Sequence, residues 1–335
     1  MIPSSAIVQH RKPIRGILVW WLRFLGILAF VLLLLRLPKS HDMQMVHLDL
    51  RWLGVCMLLT LATILFESLI WHTLLAAQKI RYPYPKTVLA YLASEYLGMV
   101  TPGHVGEYLA AGYISMDTGI TFGYALSSVV MKKILHWVIV VSFGIWGIQL
   151  VSQIPLIQRV RWAVLVSVAV LVILAGGIGL WVVSVRRLAR KWEKLSPWQI
   201  DMTEFWSGMK HLFSPQLILP LAIGAGGFVV LVFQLDAVLH ALGISLPITA
   251  VAQIMAFSRI VARIVPLSVV GFGSKDAAII GMLSRQGIDP STGLTATLLL
   301  LVCSYVVTLL LSALSWWVKP LVLRRAQTAS LSGIA

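Results

Sequence analysis

Six stretches of this chain, roughly 17–36, 52–77, 122–150, 162–184, 216–240 and 291–318, are apolar over the length at which a helix crosses a bilayer. About 20 such residues suffice to span the hydrocarbon core. Burying six of them away from water in an ordinary soluble fold leaves too little polar surface, so they dictate a polytopic helical membrane protein. Composition agrees: hydrophobic residues make up 59% of the 335 and charged residues 12%, against about 25% charged in a soluble domain. A transmembrane barrel would show short alternating segments instead, and none is present.

The formal charge is +15, and the basic residues gather at the ends of apolar runs: Arg11, Lys12 and Arg15; Arg186, Arg187, Arg190, Lys191 and Lys194; Lys319, Arg324 and Arg325. Cytoplasmic loops facing anionic headgroups have this pattern, so no nucleic-acid partner is expected. The expected location is the cell (inner) membrane, multi-pass, with both termini and the 78–86 and 185–194 loops cytoplasmic. The first run is too long for a signal segment and lacks a cleavage site, so it counts as a helix. Cys56 and Cys303 lie inside apolar runs and form no disulfide framework or metal cluster. Neither a metal nor a cofactor is expected. Many of the 13 tryptophans flank spans, among them Trp20, Trp21, Trp52, Trp316 and Trp317, as an interfacial belt does.

For six spans to keep this orientation, the chain must return to the side it left over 87–121 and again over 248–290. Both stretches have the composition for it. The first reads "TVLAYLASEYLGMV", "TPGHVGE", "YLAAGYISMDTG"; the second reads "ITAVAQIMAFSRIVARI", "VPLSVVGFGSKD", "AAIIGMLSRQG". Each is a short apolar arm, a Pro/Gly break and a second short arm, the pattern of a re-entrant helical hairpin; two pairs of short tilted crossings are the alternative. Irregular backbone persists at membrane depth only where protein or water covers it. Glu107 is followed by Gly119-Ile120, and Asp276 by Gly287-Ile288, at nearly equal spacing. The expected architecture is therefore one all-α membrane domain over 1–335, with two hairpins arranged as an inverted repeat. Its first half is 50–151 with hairpin 87–121, and its second half 216–318 with hairpin 248–290. Between them, 195–214 reads as an amphipathic cytoplasmic linker.

Of 12 acidic residues, six lie within or beside apolar runs: Glu67, Glu95, Glu107, Asp117, Asp236 and Asp276. Each costs at least about 2.5 kcal/mol to insert unless paired or wet. Lys132 and His136 are one helical turn apart, as are Arg259 and Arg263, and Lys275 adjoins Asp276. Two guanidiniums on one face make a fork suited to phosphate; the competing reading is that they neutralise carboxylates of the other half or snorkel to the interface. "GFGSKD" has neither the preceding strand nor the spacing of a nucleotide loop. No catalytic triad, metal spacing or ATPase motif is present.

At the two breaks the chain resembles the flippase-like membrane domain of lysylphosphatidylglycerol synthase (the multiple peptide resistance factor). The stretches that carry the resemblance are "LGMVTPGHVGEYLAAGYI" with the helix "ALSSVVMKKIL", and "VPLSVVGFGSKDAAIIGMLSRQGI" with the helix after it. Pro102, Gly103, Gly106 and Glu107 match the family's P-G-x-x-G-E break. Gly271 and Gly273 match its later G-x-G-x-R-E break, where Lys275 and Asp276 replace Arg and Glu; the charges persist but the carboxylate is shorter and the planar fork is lost. Relatives carry an acid and an Arg where this chain has Lys132, Lys133 and His136, which favours an anionic ligand over a lysyl-lipid. The resemblance covers roughly 50–318 and implies a stand-alone member, since no soluble stretch is long enough for the aminoacyl-transfer domain.

The expected function is a lipid translocase moving an anionic phospholipid or a polyprenyl-phosphate-linked lipid, passively, by ion coupling or with a partner. Arg259, Arg263, Lys132, His136, Lys275, Glu107 and Asp276 form its expected binding site, and Pro102, Gly103, Gly106, Gly271 and Gly273 shape the breaks. The alternative is a membrane enzyme or accessory subunit acting on a lipid-linked substrate. The bilayer, a neighbouring biosynthetic enzyme and a second copy of the chain are the other partners considered.

Overall fold

The computed structural model describes residues 48–147, 202–264, 268–269 and 272–319. The expected spans 17–36 and 162–184, Gly271, both termini and the start of the linker lie outside the described residues. Four of the six expected spans are present as helices long and apolar enough to cross a membrane: Leu50–Ala77, Phe122–Gly147, Pro215–Ala241 and Pro290–Val318.

In chain order, α1 (Leu50–Ala77), α2 (Tyr84–Val100), a 3-10 helix (Pro102–Leu109), α3 (Ala110–Thr118) and α4 (Phe122–Gly147) precede α5 (Met202–Leu212). There follow α6 (Ile218–Ala241), α7 (Ile248–Ile264), a two-residue ribbon (β1 Ser268–Val269, β2 Phe272–Gly273), α8 (Ser274–Arg285), α9 (Pro290–Leu300), a π-helical turn (Leu301–Val306) and α10 (Val307–Val318). The chain before α5 and the chain after it thus run through one series: a long helix, a helix–break–helix unit, a long helix.

Local chemistry sets the ends of these elements. The Asp49 carboxylate accepts from the Arg51 N–H at 3.0 Å and starts α1. Pro102 opens the 3-10 helix, and Pro290 follows the Asp289 cap of α9. The second arm of each unit, α3 or α8, stops at a left-handed glycine, Gly119 (φ 74°) or Gly287 (φ 81°).

Packing between the long helices relies on small residues, because in lipid apolar burial alone gives helices little reason to associate. A Cβ on Gly147 would sit 2.8 Å from the Gln253 carbonyl oxygen, and one on Gly226 would lie 2.9 Å from the Phe66 ring. These contacts bring α4 onto α7 and α1 onto α6. Hydrogen bonds add to them: Trp71 Nε1 donates to Ser128 Oγ (3.0 Å), Gln234 Nε2 to Thr60 Oγ1 (3.0 Å), and Thr60 to the Cys303 carbonyl (2.9 Å) in the π turn. One apolar core gathers Trp71, Leu74, Tyr113, Ile114, Met131 and Leu212; the other gathers Cys56, Leu235, Val238, Ile254, Met255 and Ile279. Contacts between the two series are reciprocal. The first arm of each unit packs on the closing helix of the other series, α2 on α10 and α7 on α4.

In the described part of the 195–214 stretch, α5 buries Phe205, Gly208, Met209 and Leu212 along one stripe. Protein rather than lipid covers that stripe, for α5 packs along α4.

Candidate functional site

The first break is tightly closed. Thr101 Oγ1 donates to the Leu97 carbonyl (2.7 Å) and accepts from the Gly106 N–H (2.8 Å), so the chain doubles back onto the end of α2. Any Cβ on Gly106 would overlap the Leu97 carbonyl, and one on Gly98 would overlap the Glu107 side chain. Glu107 is thereby held against α2, where Lys133 of α4 forms an ion pair with it and His104 Nδ1 lies 2.9 Å away. His104 itself has φ 55°, a left-handed value uncommon outside glycine.

The second break also turns on its carboxylate. Asp276 is fully buried, and its Oδ2 accepts from the Gly273 N–H at 2.9 Å, capping the start of α8. Its Oδ1 has no hydrogen-bond partner and lies 3.6 Å from Lys275 Nζ.

Between these breaks, α1, α4 and α7 contribute the remaining charges. Lys132 Nζ lies 2.9 Å from Glu67 Oε2 and 4.0 Å from the Tyr91 ring centre, while His136 Nδ1 is 3.4 Å from Glu67 Oε1. Consecutive lysines point about 100° apart on a helix, so Lys132 serves Glu67 and Lys133 serves Glu107. Arg263 places its guanidinium 5.4 Å from the Trp137 ring centre. Arg259 interacts electrostatically with Arg263, Glu67 and Asp276, and its Nε is buried without a hydrogen-bond partner.

Glu95 completes the set. Its charge acts on Lys133, His104, Tyr91 and Tyr305. The cluster therefore holds cations Lys132, Lys133, Arg259, Arg263 and Lys275 against carboxylates Glu67, Glu95, Glu107 and Asp276. Three cations have a carboxylate at ion-pair distance. Among the described residues, neither arginine does. With its histidines neutral, the cluster carries one net positive charge in a largely apolar protein, an imbalance that an anion removes.

All seven site residues expected from sequence fall in or beside this cluster. Of the break residues, Gly106 and Gly273 have defined contacts, and Pro102 and Gly103 form the first turn of the 3-10 helix. Sequence reasoning counted Glu67 and Glu95 among the intramembrane acids and left them out of the site. It also missed Thr101, Tyr91, Trp137 and the pairing role of Lys133. One signal for Glu67 was available, since an acid in an apolar run requires a basic partner and Lys132 with His136 is a basic pair inside another apolar run.

The family model described as the lysylphosphatidylglycerol synthase TM region matches residues 14–312. The chain belongs to that family. Lysylphosphatidylglycerol synthase TM-region membership, with four membrane-length helices, makes this a membrane protein with a membrane-lipid-related role. The match takes in both breaks and every residue of the charged cluster. No curated protein and no solved structure matches the chain.

Proposed function

We propose that the chain is a lipid translocase that binds the phosphate of an anionic phospholipid or polyprenyl-phosphate-linked lipid between its two helix–break–helix units. The observation that carries this reading is the pair Arg259 and Arg263, one turn apart on α7, inside a protein that offers them no ion-paired carboxylate among the described residues. Guanidiniums are weakly hydrated and present planar donors, which suits a phosphate monoanion in a partly dry site. Trp137 fixes Arg263, and the pairs Lys132–Glu67 and Lys133–Glu107 hold the surrounding charge in place. The reciprocal packing of α2 on α10 and of α7 on α4 supports an inverted repeat with re-entrant hairpins, in which one unit rocks against the other around the site.

Proteoliposomes test this. Purified protein accelerates transfer of an anionic lipid headgroup between leaflets, and Arg259→Ala with Arg263→Ala lowers the rate at least about tenfold, the equivalent of 1.4 kcal/mol of phosphate binding. No transfer of any anionic lipid, or product formation from a polyprenyl-phosphate sugar, contradicts it; the latter outcome establishes the enzyme reading.

A further inference from the structure

The chain has two cysteines in 335 residues, and the fold brings them together. Cys56 lies six residues into α1, about 9 Å along the axis from its start. Cys303 lies in the π turn that precedes α10. Both are free and buried, 0% and 1% exposed, and the side chain of one hydrogen-bonds that of the other.

The main chain holds this contact in place. Thr60 Oγ1 lies 3.0 Å from the Cys56 carbonyl oxygen and 2.9 Å from that of Cys303, so one hydroxyl bridges the backbone of both cysteines. Gln234 Nε2 donates to the same hydroxyl from α6 at 3.0 Å. The pair thus sits where α1, α6 and the π turn meet. A π turn is rare, interrupts the regular helical ladder and recurs at functional sites; here it presents Cys303 to α1.

A buried cysteine is ordinarily a small apolar filler. That accounts for either residue singly. It gives no reason for the only two cysteines of the chain to touch, since alanine or valine fills such a position as well.

We infer that Cys56 and Cys303 are a dithiol that hydrogen peroxide closes to a reversible disulfide, tying α1 to the π turn before α10. Neither sulfur is open to solvent, so the oxidant has to be small, uncharged and able to enter the bilayer, as peroxide is. On the orientation expected from the basic loops, Cys56 lies near the outer face, the oxidising side of a cell membrane. One sulfur attacks a peroxide oxygen: the S–O bond forms as the O–O bond breaks, and the departing hydroxide takes the thiol proton and leaves as water. The second sulfur then attacks the sulfenic sulfur: the S–S bond forms as the S–O bond breaks, and hydroxide leaves with the second thiol proton as water. Two thiols lose two electrons, and one peroxide becomes two waters. Because the second thiol is already in contact, its intramolecular attack outruns further oxidation to sulfinic acid.

The test uses the full chain in detergent and reads thiols rather than lipid, so its outcome is independent of the transport reading. Reduced protein is titrated with hydrogen peroxide, quenched, denatured and labelled with maleimide, and its peptides are mapped by mass spectrometry without reduction. The expected result is a label on both cysteines before oxidation and on neither after it, full recovery with dithiothreitol, and a peptide link between Cys56 and Cys303. Cys56→Ser leaves Cys303 without a partner, so the same titration carries it to sulfinic acid that dithiothreitol does not recover. The proposal is overturned if both cysteines keep their label throughout, if peroxide converts them to sulfinic or sulfonic acid with no link, or if the link forms only after the protein is heat-denatured.

Discussion

Paired and unpaired charges in this protein have opposite expected responses to mutation. Lys133 neutralises Glu107 against the end of α2, so Lys133→Ala leaves that carboxylate with His104 alone and costs about 2 kcal/mol. Arg259 neutralises nothing at ion-pair distance, so Arg259→Ala removes a desolvated charge and leaves thermal stability equal or higher while ligand binding falls. Unfolding of the two variants in one detergent checks the contrast. Asp117 gives a pH prediction. Burial alone raises its pKa, but the Lys319 ammonium and the Tyr82 hydroxyl outweigh burial and hold it below the usual carboxylate value. A depressed carboxyl stabilises the folded state above its unfolded pKa and loses that contribution as pH falls through the folded one. The stability of wild type over Asp117→Asn, about 1 kcal/mol, is thus full at neutral pH and fades only on acidification below the ordinary carboxylate range. Denaturation of both proteins across pH measures it. The arginines were legible in the sequence because a one-turn spacing is a local signal. Glu95, Tyr91 and Trp137 were not, because their relation to the cluster is created by helices that meet only in the fold.

Elements explain why the breaks could be read and their closure could not. Proline and glycine announced both interruptions, and Gly119 and Gly287 announced the ends of the second arms. What closes the first break is Thr101 bridging Leu97 and Gly106, a hydrogen-bond choice that no periodicity reveals. The α4–α7 contact likewise depends on Gly144 and Gly147, which read as ordinary glycines within an apolar helix. A side chain at Gly147 has to displace backbone of α7 near Gln253 and Phe257, so Gly147→Leu costs about 2 kcal/mol or more. It also moves Arg259 and Arg263 relative to Lys132. Loss of lipid binding together with a lowered Tm is the expected outcome, and unchanged binding indicates that α4 does not position the arginines.

For the whole molecule, the reciprocal docking of each first arm on the other series' closing helix is the seam that the proposed translocase reading requires to open. Tyr96 of α2 and Trp316 of α10 lie with ring centres 5.4 Å apart. Joining them by cysteine substitution and a short reducible cross-linker locks that seam, so transfer across proteoliposome membranes stops and returns on reduction. Transport that continues through the cross-link shows that this seam does not open. The most direct test of the central claim is to see the headgroup itself, in a structure of the protein in nanodiscs containing an anionic lipid, with the bound lipid identified by mass spectrometry. The account predicts phosphate density within about 3 Å of the Arg259 and Arg263 guanidiniums, between the two breaks. Density showing both guanidiniums paired with carboxylates of the chain, and no lipid between the breaks, would contradict it.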